Sequence, residues 1–166
     1  AAHLAQLGGL TRFRFVVVGD GARLKHVKAH SEQLGCKNIH FLGLRPKAEM
    51  RDWLASLDVC VVHLKNTPLF QSVLPSKMFE AMAMRKPIAL GVKGHALSVL
   101  EKASAGIPFE PESPEGLLAA IGEIEEKSAQ KTEAWVLPQE YVLKHHDLIG
   151  LSEEYLDLLQ SIVVGK

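Results

Sequence analysis

Residues 74–87 read LPSKMFEAMAMRKP, and the folding of this stretch sets the reading of the rest of the chain. An apolar run, Val59-Cys60-Val61-Val62-His63-Leu64, and a polar loop precede it; a second apolar run, Ile88-Ala89-Leu90, follows. The order is strand, loop, helix, strand. Pro75 suits the first helical position, where a missing N–H costs nothing, and Pro87 ends the pattern. At about 100° of rotation per residue, Met78, Phe79 and Met82 share an apolar side, with Ser76, Lys77, Glu80 and Met84 turned away from it. A helix N-terminus just beyond a strand end offers free N–H groups and the positive end of the macrodipole, both suited to an anion. A hydroxyl, an ammonium and a carboxylate close to that end can hold a phosphate and a sugar hydroxyl. Lys77 and Glu80 also read as an ordinary solvated i,i+3 pair, worth roughly a few tenths of a kcal/mol.

Upstream, Phe13 to Val18 (FRFVVV) is a β-rich run, and Gly19-Asp20-Gly21 turns it into a helix through about Leu34, stopped by Gly35. Residues 2–7 read as the tail of an earlier helix closed by Gly8-Gly9. Asn38 to Leu42 is a short strand, and Pro46 opens a helix with Met50, Trp53, Leu54 and Leu57 at helical spacing. Downstream of Ile88–Val92 comes a helix around Leu97 to Ala103, then a brief strand at Ile107 to Phe109. Ser113-Pro114 starts a helix with Leu117, Leu118, Ile121 and Ile124 facing inward. Residues 128–137 are weakly patterned. A last helix near Ser152 to Val163 places Tyr155, Leu156, Leu159 and Ile162 on one face. Strict alternation without a hairpin signal predicts an α/β fold, a Rossmann-like parallel sheet with helices on both faces.

The chain has 166 residues, which favours one domain, and 47% hydrophobic against 23% charged residues leaves material for a normal core. Lysine plus arginine equals aspartate plus glutamate at 19 each, so the basic footprint of a nucleic-acid binder is absent. No apolar run approaches the ~20 residues of a transmembrane helix, and no signal peptide is visible. Cys36 and Cys60 fit reduced thiols better than a disulfide, pointing to a cytoplasmic setting. The chain opens Ala-Ala-His inside a helical pattern without a methionine, the expectation for a piece of a longer protein.

In parallel sheets ligands sit beyond the carboxyl ends of the strands. The loops that matter are therefore 19–21, 43–45, 65–74 and 91–95. Gly19 and Gly21 let backbone approach a ligand, though without a third glycine they do not complete a dinucleotide fingerprint and read equally as a tight turn. Gly43-Leu44-Arg45 can set a guanidinium or backbone groups over a base, or leave Arg45 as a solvated charge. The 65–74 loop offers Lys65, Gln71, Ser72 and backbone amides, and is long for a plain connector. His26 and His30 stand at i,i+4 without a third ligand at metal spacing, so a solvated face is the simpler reading. His145-His146 reads as surface and His63 as a capped core histidine. There is no nucleophile elbow, no catalytic carboxylate pair and no P-loop, and no residue is assigned a catalytic role.

Taken together, VVVGDGARLKHVKAHSEQLG followed by NIHFLG, then LDVCVVHL, then LPSKMFEAMAMRKPIALG with SPEGLLAAI downstream, resemble the C-terminal domain of group 1 (family 4) glycosyltransferases of the GT-B fold. The resemblance runs from about Phe13 to Ile121, and the PSKMFEAMA form is similar to transferases of bacterial surface-polysaccharide assembly. It implies the donor half of a retaining enzyme that binds a nucleotide sugar, often UDP-linked, with no tightly bound metal or cofactor. The partner is an N-terminal acceptor-binding half outside this chain, and the full-length protein would associate peripherally with the inner face of a membrane. By motif, Glu80 corresponds to the carboxylate on the donor ribose. Gly43, Leu44 and Arg45 correspond to the nucleobase wall, and Gly19 and Gly21 to the glycines at a strand end. Amides near Ser72 to Ser76 face the diphosphate, with Lys77 beside them.

Two departures qualify the resemblance. Many members carry a glutamate eight residues before the ribose carboxylate, where this chain has Ser72. The family's first C-domain strand, normally central, has no counterpart here. Its absence predicts a gap between the Phe13 and Val59 strands, closure of that gap, or filling by another chain, and an isolated domain that is inactive. Rival readings are half of a sugar-nucleotide epimerase and a non-catalytic doubly wound binding or signalling module.

Overall fold

A computed structural model describes residues 13–130 and 135–164. Five short strands carry the frame: β1 (Phe15–Val18), β2 (Ile39–Gly43), β3 (Cys60–His63), β4 (Ile88–Gly91) and β5 (Gly106–Pro108). Eight α-helices separate and follow them: α1 (Leu24–Gln33), α2 (Met50–Ser56), α3 (Pro68–Gln71), α4 (Ser76–Ala83), α5 (His95–Ala103), α6 (Pro114–Gln130), α7 (Val136–His145) and α8 (Leu148–Val164). Every strand pairing is parallel. The alternation read from the sequence is therefore the architecture.

The expectation for residues 2–7 lies outside the described residues. Elsewhere the predicted elements recur within about four residues, with local differences at their ends. Pro75 (φ −66°, ψ 121°) is the residue before α4 rather than its first helical position. At α6 the cap forms as expected: Gly116 N–H donates to Ser113 Oγ at 3.0 Å. Gly35 stops α1 at φ 65°. Two helices escaped the sequence reading: α3, a single turn in the 65–74 loop, and α7, which begins inside the weakly patterned stretch.

Strand β4 divides two cores. Ile88 and Leu90 face one side, packed with Met78, Ala81 and Met82 of α4, Ala96, Leu100 and Ala103 of α5, and Val142 of α7. Ala89 faces the other, with Leu117, Ala120, Ile121 and Ile124 of α6. Helices thus cover both faces, as parallel strands require. Burying one Met or Leu side chain contributes about 1.5–3 kcal/mol, and Met78, Met82, Leu90 and Ile124 are all fully buried.

The sheet is not continuous. β1 pairs with β2, and β3 pairs with β4 and β5, but β1 and β3 do not pair with each other. Of the three outcomes expected for a missing central strand, the described residues show the gap. β4, flanked on both sides, is buried at every position, whereas β3 alternates, with Val61 and His63 exposed. Val59 and the β1-side residues Phe13 and Phe15 nevertheless pack against the same α6 cluster.

The last helix forms where the sequence places it, without cover for its apolar face. Tyr155, Leu156, Leu159 and Ile162 do share a helix, but all four are exposed. A helix of 17 residues that buries no residue among those described draws its apolar surface from periodicity alone. Substitutions should separate the two kinds of helix. In urea unfolding, Met82→Ala should cost about 2–5 kcal/mol through lost transfer and a cavity, and Leu159→Ala should stay within about 0.5 kcal/mol.

Candidate functional site

The residues singled out from sequence gather at the carboxyl ends of the strands in two groups. In the first, Gly19 N–H donates to the Gly43 carbonyl at 2.8 Å and ties the ends of β1 and β2 together. Gly21 N–H is taken by Asp20 Oδ1 at 2.7 Å, which makes the Gly19–Gly21 turn self-contained. Leu44 is 75% exposed just past β2. Arg45 is exposed, with its guanidinium 5.9 Å from the centre of the Trp53 ring, a cation–π contact that favours this direction.

The second group lies on α4 and the loop before it. Because Met78, Ala81 and Met82 are buried, helical geometry turns Ser76, Lys77 and Glu80 to the surface. The simple ion-pair reading fails here: among the described residues neither Lys77 nor Glu80 forms a salt bridge, with each other or elsewhere. Met78 N–H reaches the Pro75 carbonyl at 3.0 Å, so the Ser76 and Lys77 N–H groups stand ahead of the hydrogen-bonded turns. Ser72 donates its hydroxyl to the Leu69 carbonyl at 3.0 Å and ends α3. Beneath this group, burial pushes the Cys60 thiol above its ordinary range; Glu80 raises it further and Lys77 opposes. Both charges therefore act at the edge of β3.

A rim that no local motif announced surrounds the ends of β3, β4 and β5. Glu112 N–H donates to His63 Nε2 at 3.0 Å, and Asn66 N–H points at the Glu112 carboxylate at 3.4 Å. The His63 ring stacks on Phe109, centroids 6.2 Å apart and 12° from parallel. Both rings close over Gly91, where an added Cβ would lie 2.5 Å from Phe109 and 2.8 Å from His63. Lys93 Nζ meets Glu110 at 2.6 Å across the next pair of loops. His63 is capped but does not lie in the core: its side chain is exposed, and its partner is a backbone amide 49 positions away, beyond the reach of any spacing argument.

His146 corrects another expectation. It is half-buried between Phe79 (centroids 4.4 Å) and Tyr141 (5.7 Å) rather than on the surface. Its Nε2 is buried and makes no hydrogen bond among the described residues. His26 and His30 stack on one another at 6.5 Å. Among the described residues no group of three His, Cys, Asp or Glu side chains is placed to hold a metal ion. Neither Cys36 nor Cys60 forms a disulfide; Cys60 is buried and Cys36 partly so. No helix of the described residues is long and apolar enough to cross a membrane.

With this geometry in hand, the chain can be set beside known proteins. Residues 2–127 match the family model described as glycosyl transferases group 1, and the chain belongs to that family. No curated protein matches. Among solved structures the chain is similar to Alr3699/HepE of Anabaena in complex with UDP-glucose, at 20% identity and a TM-score of 0.78, covering 96% of this chain and 44% of that one. It is similar as well to the sucrose-phosphate synthase of Thermosynechococcus elongatus (15%, TM-score 0.77, 99% of this chain and 42% of that one). A third is WaaG, a glycosyltransferase involved in lipopolysaccharide biosynthesis (22%, TM-score 0.68, 93% and 40%). These likenesses establish the α/β fold of GT-B glycosyltransferases, and the chain spans less than half the length of each.

The rim carries a pH dependence. His63 accepts a hydrogen bond at Nε2, which only the neutral ring can do, and burial lowers its pKa below the usual 6.5 despite the opposing pull of Glu112. A depressed histidine contributes stability that is present above the unfolded-state pKa and lost as pH falls through the folded one. The thermal midpoint of the wild-type chain should therefore drop more steeply between pH 7 and pH 5 than that of His63→Phe. Parallel curves for the two proteins would refute it.

Proposed function

We propose that this chain is the nucleotide-sugar donor-binding domain of a retaining glycosyltransferase, one domain of a longer two-domain protein. The observation that carries this reading is the state of α4. An unpaired carboxylate, an unpaired ammonium and free amides stand together at a helix N-terminus, at strand ends, in a chain of this family. Glu80 would take two vicinal ribose hydroxyls, a pair of charge-assisted hydrogen bonds. The amides of Ser72 to Ser76 and the α4 dipole would face the diphosphate, with Lys77 beside them. Gly43, Leu44 and Arg45 would wall the base, Arg45 pre-set by its stacking on Trp53. Gly19 and Gly21 would allow close backbone approach.

The chemistry follows from charge. Cleaving the bond between sugar and phosphate builds negative charge on the leaving diphosphate, and donors fixed in advance toward it lower the barrier without reorganising. UDP is the preferred nucleotide, in keeping with the UDP-glucose carried by the HepE structure. The acceptor, a polysaccharide or lipid-linked sugar, would be held by the other domain, and the whole enzyme would work in the cytoplasm, peripherally at a membrane. Asp20, the thin support for a signalling module, is spent on Gly21 N–H, which weighs against that rival.

Calorimetric titration with UDP and GDP tests the reading. Weak UDP binding is expected of this domain by itself. Glu80→Ala should weaken it by about 10- to 100-fold, as expected when hydrogen bonds to a charged group worth about 1.5–3 kcal/mol are removed. A folded Glu80→Ala protein that binds UDP as well as wild type would sink the assignment.

A further inference from the structure

The structure assigns Gly94 as a positioning residue that seats the 65–74 loop, and with it the backbone leading into α4. Its functional half rests on the nucleotide-binding reading above. Gly94 precedes α5 with φ 71° and ψ −132°, a conformation that side-chain-bearing residues rarely adopt. A Cβ there would run into the carbonyl oxygen of Gln71, and would lie 2.9 Å from its carbonyl carbon and 3.0 Å from its Cβ. The obstacle is backbone, so no change of rotamer relieves it.

Gln71 ends α3 and is bonded directly to Ser72. The loop has little apolar anchorage of its own, with Leu69, Val73 and Leu74 all exposed. Its internal bonds are short-range, from Phe70 N–H to Thr67 at 3.1 Å and from Val73 N–H to Phe70 at 3.4 Å. Two neighbouring strand ends meet it instead: the Glu112 carboxylate accepts from Asn66 N–H, and Gly94 leaves room for the Gln71 backbone to lie close against it. A side chain at 94 takes up that room. Helix α4, pinned through Met78 and Met82, stays where it is, so the amides at 72–75 move relative to Ser76, Lys77 and Glu80.

The test compares Gly94→Ala with Gly35→Ala, another glycine at positive φ (65°) whose added Cβ meets no atom within 4 Å. Gly94→Ala should speed hydrogen exchange at the Phe70 and Val73 amides and weaken UDP binding about tenfold or more; Gly35→Ala should do neither. Inserting one glycine between Gln71 and Ser72 uncouples the seat without a buried clash and should bring the same loss of affinity, which covers the case in which Gly94→Ala does not fold. Wild-type exchange across 66–74 in a folded Gly94→Ala protein, or unchanged affinity in the insertion variant where wild type binds UDP, overturns the assignment. A wild-type chain that fails to bind UDP overturns the nucleotide reading instead, and the exchange comparison still decides whether Gly94 seats the loop.

Discussion

The burial of one side of α4 is the constraint from which the rest follows. Met78, Ala81 and Met82 have no exposure at all, locked against Ile88 and Leu90 of β4 and against α7 behind. Gln139 Nε2 donates to the Ala83 carbonyl at 2.8 Å and its Oε1 accepts from Arg85 Nε at 2.6 Å, so the end of α4 is tied down as well. A helix fixed at its apolar side and at its end has one remaining freedom, its polar side, and that side is set at the strand ends. The position of Glu80 is thus decided by methionines that never touch a ligand. This is how a scaffold converts hydrophobic burial into the placement of charge.

Around that helix the molecule separates two tasks. The rim of His63, Phe109, Glu112, Lys93 and Glu110 has its polar groups largely satisfied by one another. The α4 side chains do not, and groups left unspent by the fold are the ones with free energy to give to a ligand. Ser72 sits between these cases, its hydroxyl donated to Leu69 but still able to accept.

The fold was legible because its signal is periodic and local. Runs of Val and Ile separated by amphipathic helices can scarcely be arranged otherwise than as parallel strands, and caps such as Ser113 lie next to what they cap. The surface placement of Lys77 and Glu80 followed from the same arithmetic. What escaped reading depends on partners distant in sequence: the bond between His63 and Glu112, the burial of His146 between Phe79 and Tyr141, and the approach of Gln71 to Gly94. No spacing rule encodes these. The last helix shows the limit of the same signal: its 3.6-residue pattern is genuine, but a pattern says which side is apolar and not what lies against it. The Phe13–Val18 run, whose apolar end reads as buried on both faces, erred similarly: Val17 is exposed.

The break in the sheet bears on how the molecule comes apart. The unit β1–α1–β2 is joined to the remainder through Phe13 and Phe15 on the α6 cluster, while the two cores around β4 are densely shared among four helices. Cooperativity depends on how much of the structure fails when one part does, and such a narrow junction uncouples the two parts. Residues 13–43 would melt as a lobe of their own ahead of the rest, giving unfolding transitions that do not coincide between probes. Tethered in this way, a small lobe is free to lose its order while the larger part bearing α4 keeps its shape.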